Sequence, residues 1–251
     1  MLKINEIYNL DCLELLSSLP DKSVNCIVTS PPYWKGFGYE AYFNSYAQYL
    51  RWCEKWMRES KRVLKDDGNF FLNVINDSEI TVRAFDLMNI ATEILMWKLH
   101  DTIIWYRYNQ QPANTTRQLT NQVEYIFLLR HSSENVCFDK ESVYNNAPQI
   151  FKTKNVSNVW EIPFNHGEKS TKEFGRKETK SKWGHSGYPL LLPETCILLA
   201  TKENDLVLDM FGGSGTTAVA CIKHKRNYIL GDKSENFVNL SKARIEQWTI
   251  Q

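Results

Sequence analysis

Leu206-Val207-Leu208-Asp209-Met210-Phe211-Gly212-Gly213-Ser214-Gly215-Thr216-Thr217 carries an apolar run straight into a glycine-rich turn, and Ala218-Val219-Ala220-Cys221-Ile222 follows with a helix pattern. Strand, turn and helix in that order open a βαβ unit, which sets the fold class as α/β. Glycines let the backbone approach a ligand closely and adopt positive φ. The helix start aims unpaired N–H groups and a positive dipole end at an anionic group. A second strand, Tyr228-Ile229-Leu230, leads to Asp232, which lies 23 residues beyond Asp209. That is near the spacing at which an acidic side chain bonds ribose hydroxyls. Taken alone, Gly213-Ser214-Gly215-Thr216-Thr217-Ala218 also fits the looser G-x-G-x-x-A dinucleotide pattern, so an NAD-dependent oxidoreductase or an ordinary βαβ turn stays open.

Ser30-Pro31-Pro32-Tyr33 ends a second apolar run, Val24-Asn25-Cys26-Ile27-Val28-Thr29, which reads as a buried strand. The carboxyl end of a strand is where open α/β sheets bind ligands. Two prolines stiffen the turn and remove two N–H donors, leaving carbonyls to accept from a ligand. A hydroxyl, a carbonyl and an aromatic ring on one rigid turn suit a flat heterocycle with an exocyclic amine. The plain alternative is a Pro-Pro turn closing a strand, although such a tetrapeptide arises by chance in roughly one chain per thousand of this length.

Together, Ser-Pro-Pro-Tyr and Asp-x-Phe-x-Gly-Ser-Gly-Thr resemble the S-adenosylmethionine-dependent DNA methyltransferases that modify exocyclic amines. The tetrapeptide precedes the glycine loop, as in the permuted group called beta. Tyr8-Asn9-Leu10-Asp11-Cys12-Leu13-Glu14 is similar to the family's opening segment, whose aspartate contacts the cofactor's adenine. Val63-Leu64-Lys65-Asp66-Asp67-Gly68-Asn69-Phe70-Phe71 resembles its turn into the next core strand. His185-Ser186-Gly187-Tyr188-Pro189 through Leu192-Pro193-Glu194 resembles the element that folds over the methionine end. Met210 departs from the family's usual proline without removing a ligand contact.

The resemblance implies S-adenosylmethionine as cofactor, held by Asp11, Cys12, Asp209, Phe211, Gly212, Gly213, Ser214, Gly215, Thr216 and Asp232, with His185 either touching it or merely packing. It implies Ser30, Pro31, Pro32 and Tyr33 as the catalytic turn and a Rossmann-like methyltransferase fold. One methyltransferase domain is expected over 1–251, with a tetrapeptide half at 1–135, a cofactor half at 184–251 and an inserted target-recognition segment over about 136–183. Serine at the head of the tetrapeptide is associated in the family with cytosine N4, and aspartate with adenine N6. Double-stranded DNA is the implied partner, with a homodimer and a companion restriction endonuclease expected by analogy.

Composition fits this picture. The 251 residues are 43% hydrophobic, enough for one domain with a sizeable core. A net charge of +1 gives no bulk attraction to nucleic acid, so DNA contact must come from local patches. Six cysteines at 12, 26, 53, 137, 196 and 221 show no metal-ligand spacing and read as fillers of a reduced, cytoplasmic protein. No apolar run reaches membrane-spanning length, and the amino terminus lacks a signal pattern.

Asp11 and Glu14 predict a capped helix ending near Pro20, and Ser45–Leu64 an amphipathic helix with Tyr46, Tyr49, Leu50, Cys53, Trp56 and Met57 on one face. Strand Asn69–Ile75 leads to Asp77, expected to cap a helix running to about Trp97. Thr102–Tyr106 and Val123–Leu129 read as strands paired antiparallel at the edge of a mostly parallel, twisted sheet with helices on both faces. From Asn165 to Lys182, six basic residues including Arg176 and Lys177 face three glutamates. Such a stretch is either a solvated loop or a phosphate-contacting recognition element. Gln110, Gln111, Asn114, Arg117 and Gln118 form another polar cluster able to read bases.

An exocyclic amine is a poor nucleophile because its lone pair is delocalised into the ring. Ser30 and the Pro31 carbonyl are expected to hold both amine hydrogens, with direct in-line transfer and no covalent enzyme intermediate. The base must leave the stack to be reached, with Tyr33 as its platform and Trp34 as an extension or a plain turn aromatic. Ring-carbon methylation needs a thiolate, usually in a Pro-Cys pair, and no Pro-Cys dipeptide occurs. A catalytically silent DNA-binding module is the remaining alternative.

Overall fold

Asp11 starts the first helix by a capping box: its side chain accepts from Leu13 N at 3.0 Å, and the Glu14 carboxylate accepts from Asp11 N at 3.2 Å. In this computed structural model, residues 2–34, 43–76, 82–109, 119–131, 136–147, 150–151, 155–163 and 187–249 are described. In chain order the elements are β1 (Glu6–Tyr8), α1 (Cys12–Ser17), β2 (Val24–Thr29), α2 (Tyr46–Val63), β3 (Leu64–Val74) and α3 (Arg83–Asn89). They continue with β4 (Lys98–Tyr106), β5 (Val123–Arg130), α4 (Lys140–Asn146), β6 (Val159–Glu161) and α5 (Leu191–Ala200). Last come β7 (Leu206–Asp209), α6 (Thr216–Lys223), β8 (Asn227–Gly231) and α7 (Glu235–Thr249).

The strands form one eight-stranded sheet among the described residues, ordered β1-β8-β7-β2-β3-β5-β4-β6. β5 runs antiparallel to β3 and β4, while every other neighbouring pair is parallel. Side chains alternate between two cores, as strand geometry requires. Cys26, Val28, Phe71, Leu128 and Val207 pack with α4, α5 and α6 on one face. Ile27, Phe70, Leu72, Phe127 and Leu208 pack with α1, α2 and α3 on the other. The mostly parallel sheet with helices on both faces is as expected.

Ser45 caps α2, accepting from Gln48 N at 3.2 Å, and the helix buries Tyr49, Cys53, Trp56, Met57 and Val63 along one stripe. Burying side chains such as Met57 and Val63 contributes roughly 1.5–3 kcal/mol each. Two expectations change. Asp77 lies outside the described residues, and the described helix begins at Arg83 and passes into a π turn at Ile90–Ile94. Of the segment expected as an insertion from about 136, described residues including Val143, Phe151, Val156 and Ile162 pack into the body. There α4 supplies Val143, and Trp160 of β6 pairs in parallel register with Trp105 of β4 at the sheet edge. A short β6 escaped notice because three residues carry too little periodicity to signal a strand.

Candidate active site

The strand order reverses between β7 and β2. From β2 the chain steps through α2 to β3 on one side, and from β7 through α6 to β8 on the other. A doubly wound sheet opens a crevice at such a switch point, outside the carboxyl ends of the strands. Ser30 leaves β2 and Phe211–Gly215 leave β7 at this rim, while Asp232 follows β8 and Asn9–Asp11 follow β1 beside them.

Asp209 joins the two motifs. Thr29, the residue before the tetrapeptide, donates its hydroxyl to Asp209 Oδ1 at 2.6 Å. Phe211 N donates to the same oxygen at 3.1 Å, while Thr217 and Tyr188 hydroxyls donate to Oδ2 at 2.6 and 3.0 Å. Asp209 is 1% exposed. Burial pushes its pKa up, and these four donors oppose the shift. Expected to touch the cofactor, Asp209 is instead a buried knot with protein donors on both oxygens.

The glycine loop is held from three sides. Gly212 N donates to Gly231 O at 2.8 Å, Gly213 N to Asp232 Oδ2 at 3.0 Å, and Ser241 Oγ to Gly213 O at 2.6 Å. The second Asp232 oxygen accepts from Ser234 N at 2.8 Å, which leaves further lone pairs for a ribose. Burial raises the Asp232 pKa, and the two backbone N–H bonds counter it. Buried Arg244, on α7, donates to Thr216 Oγ1 at 2.9 Å and to Ser214 O at 3.3 Å. Added Cβ atoms at Gly212 and Gly215 would strike Leu230 and Ser241, whereas one at Gly213 would meet only Phe211 O, at 3.9 Å. Gly213 is therefore the position where the missing side chain leaves room for a ligand. A cleft of about 500 Å³, lined by Asn9, Leu10, Asp11, Leu13, Glu14 and Lys233, opens where β1 and β8 end. This cradle and cleft fit an adenosyl group.

On the other side of the switch point, Pro31 is buried and Pro32 half-buried, and Tyr49 Oη donates to Pro32 O at 2.9 Å. The Pro32 carbonyl is thus committed to α2. Ser30 Oγ hydrogen-bonds to Tyr33 Oη, which lies 3.4 Å from Asn73 Oδ1. Tyr33 packs half-buried on the α2 side, and Trp34, at φ +49°, stands 5.4 Å from the Tyr46 ring.

Two more expected cofactor residues, and Tyr188 from the segment that resembles the element over the methionine end, are placed differently from a simple contact set. Cys12 is 3% exposed and faces the α1–α2 core, so its side chain offers a ligand nothing. Phe211 packs edge-on to Trp56 at 5.4 Å, bracing the loop against α2. Tyr188 lies beneath the loop, its hydroxyl on Asp209 and 2.6 Å from Thr217 Oγ1, rather than over the rim. Arg117, Arg176, Lys177 and His185 lie outside the described residues. Thr29, Asn73 and Arg244 were missed. A lone amide inside Phe70-Phe71-Leu72-Asn73-Val74 was the available signal, since buried polar groups need partners.

Comparison with known proteins agrees with this geometry. The N6/N4 family model described as DNA methylase matches residues 24–243. Type II methyltransferase M.Cfr9I of Citrobacter freundii is 29% identical over 272 positions, covering 94% of this chain and 86% of the relative. Type II methyltransferase M.HinfI of Haemophilus influenzae is 26% identical, covering 97% of this chain and 69% of its own. Among solved structures, the cytosine-N4-specific PvuII DNA methyltransferase superposes with a TM-score of 0.77 at 21% identity, covering 97% of this chain and 89% of that one. The M1.HpyAVI complex with SAM gives a TM-score of 0.66 at 21% identity, covering 96% and 98%. The chain belongs to the S-adenosylmethionine-dependent DNA amino-methyltransferases.

Proposed function

We propose that this protein transfers a methyl group from S-adenosylmethionine to the exocyclic N4 amine of cytosine in duplex DNA, as the modification partner of a type II restriction–modification pair. The observation that carries the reading is the Thr29–Asp209 hydrogen bond of 2.6 Å, which sets the serine–proline turn and the glycine cradle side by side. Bound there, the cofactor supplies an electrophilic sulfonium methyl, and its sulfur keeps the bonding pair as a thioether.

The chain's own groups do the positioning. Ser30 Oγ and the Pro31 carbonyl take the two amine hydrogens, drawing the nitrogen toward tetrahedral geometry and aiming its lone pair at the methyl. The surplus proton of the methylated amine passes to water. Tyr33 and Trp34 face the extruded base, and Arg117, Arg176 and Lys177 serve phosphate and base contacts. Ring-carbon methylation is disfavoured by the thiols: burial raises the pKa of all six cysteines, so none is poised as a thiolate. Serine in place of a carboxylate at position 30, and the fold shared with a cytosine-N4 enzyme, support cytosine over adenine.

The test is nucleoside mass spectrometry of DNA methylated in vitro by the purified protein. N4-methylcytosine is expected; N6-methyladenine in its absence would reassign the base. A homodimer and a cognate nuclease are further parts of this proposal, checked by light scattering and by protection of methylated DNA from a paired endonuclease.

A further inference from the structure

Below Ser30 the hydrogen bonds have a direction, and we propose that Asn73 and Tyr33 lock the Ser30 hydroxyl as an acceptor, so that the pocket selects a base with an amine over one with a carbonyl at the same ring position. The chain starts at the Tyr125 carbonyl, to which Asn73 Nδ2 donates at 3.3 Å. That contact fixes the amide, because the flipped orientation would set carbonyl against carbonyl. Asn73 Oδ1 then faces Tyr33 Oη at 3.4 Å, and an amide oxygen can only accept. The single phenolic proton therefore goes to Asn73, and towards Ser30 the Tyr33 oxygen can only accept. The Ser30 proton is spent on Tyr33, and lone pairs are what Ser30 has left for the pocket.

The anchor is rigid. Asn73 is 3% exposed and sits inside β3, paired with Ile126 of β5. Burial, reinforced by the Glu124 carboxylate, pushes the Tyr33 pKa up, so the phenol keeps the proton that the chain requires. An amine donates into the Ser30 lone pairs. A carbonyl there would set oxygen against oxygen and lose the bond, a penalty of roughly 10- to 100-fold in affinity.

This inference rests on the amine-methylation reading, and its test separates the two. Once the modified site is mapped, duplexes carrying the target base or its keto analogue (uracil for cytosine, hypoxanthine for adenine) are titrated with the protein and S-adenosylhomocysteine. The wild type is expected to favour the amine duplex roughly 10- to 100-fold. Tyr33→Phe and Asn73→Leu each free the Ser30 proton to turn toward a carbonyl, so the preference should fall several-fold in either and no further in the double variant. A folded Tyr33→Phe protein with undiminished preference would overturn the proposal, and this one-oxygen deletion remains informative even if Asn73→Leu does not fold. DNA that receives no methylated amine from the wild type would overturn the activity itself, and the relay with it.

Discussion

Gly215 and Gly213 both adopt positive φ, +79° and +49°, yet a methyl group would meet different surroundings at the two. At Gly215 it would come within 2.9 Å of Ser241 Cβ in the buried packing of α7 on the loop. Left-handed strain of about 1–2 kcal/mol plus overpacking of about 1–3 kcal/mol should make Gly215→Ala roughly 3 kcal/mol less stable in urea unfolding. At Gly213 the space is open, so Gly213→Ala should cost only the strain. Its S-adenosylmethionine affinity, read by calorimetry, should fall at least about tenfold, because a Cβ enters the ligand's space. An equal stability loss in both variants would contradict the assignment of Gly213 to the ligand. Ser30→Ala offers the converse: cofactor affinity stays within about twofold, while single-turnover transfer drops by about 100-fold, the usual cost of losing one aligned polar group.

Between elements, β2 and β7 are tied by more than their ladder. Thr29→Val keeps the shape of the strand end but removes the 2.6 Å donor to Asp209, and should destabilise the protein by about 1.5–3 kcal/mol. The pH dependence of Asp209 has a definite sign. Its folded pKa lies above the ordinary carboxylate value, so the native state binds the proton more readily than the unfolded chain. The stability this contributes is complete below the unfolded pKa and is lost as pH rises through the folded one. Asp209→Asn abolishes that gain, so its deficit against the wild type, measured by urea unfolding, should be larger at pH 4 than at pH 7. A deficit that shrinks on acidification would show that the donors outweigh burial. These pairings also mark the limit of what was legible beforehand. Ser30–Tyr33, the glycine loop and Asp11 could be read because each is a local device with its own turn, cap or missing side chain. Asp209 reads locally as a ligand contact and becomes a structural knot only when Thr29, 180 positions away, arrives at 2.6 Å. Cys12 and β6 were obscured in the same way, one by a core face on a short helix, the other by a strand with meaning only beside β4.

For the whole molecule, the consequence of the switch point is that residues far apart in the chain share one cooperative body. On the proposed reading the methyl donor meets the loop after β7; Asp209 then hands the constraint to Thr29, and Asn73 and Tyr33 carry it on to β3 and β5. At a ligand concentration of 100 times Kd, binding to the native state alone stabilises it by about 2.7 kcal/mol. For a domain of this size that corresponds to a Tm rise of roughly 5–10 °C. If the sheet opens as a unit, hydrogen exchange in the presence of S-adenosylhomocysteine should slow in β2 and β3 as much as in β7 and β8. Thr29→Val separates coupling from binding. It leaves the glycine cradle intact, so ligand should still protect Leu206–Thr217, while the added protection at Cys26–Ser30 should fall by half or more. Protection confined to the cofactor strands in the wild type would mean that the two motifs, although adjacent, open independently, and the catalytic turn would then have to be ordered by DNA rather than by the methyl donor.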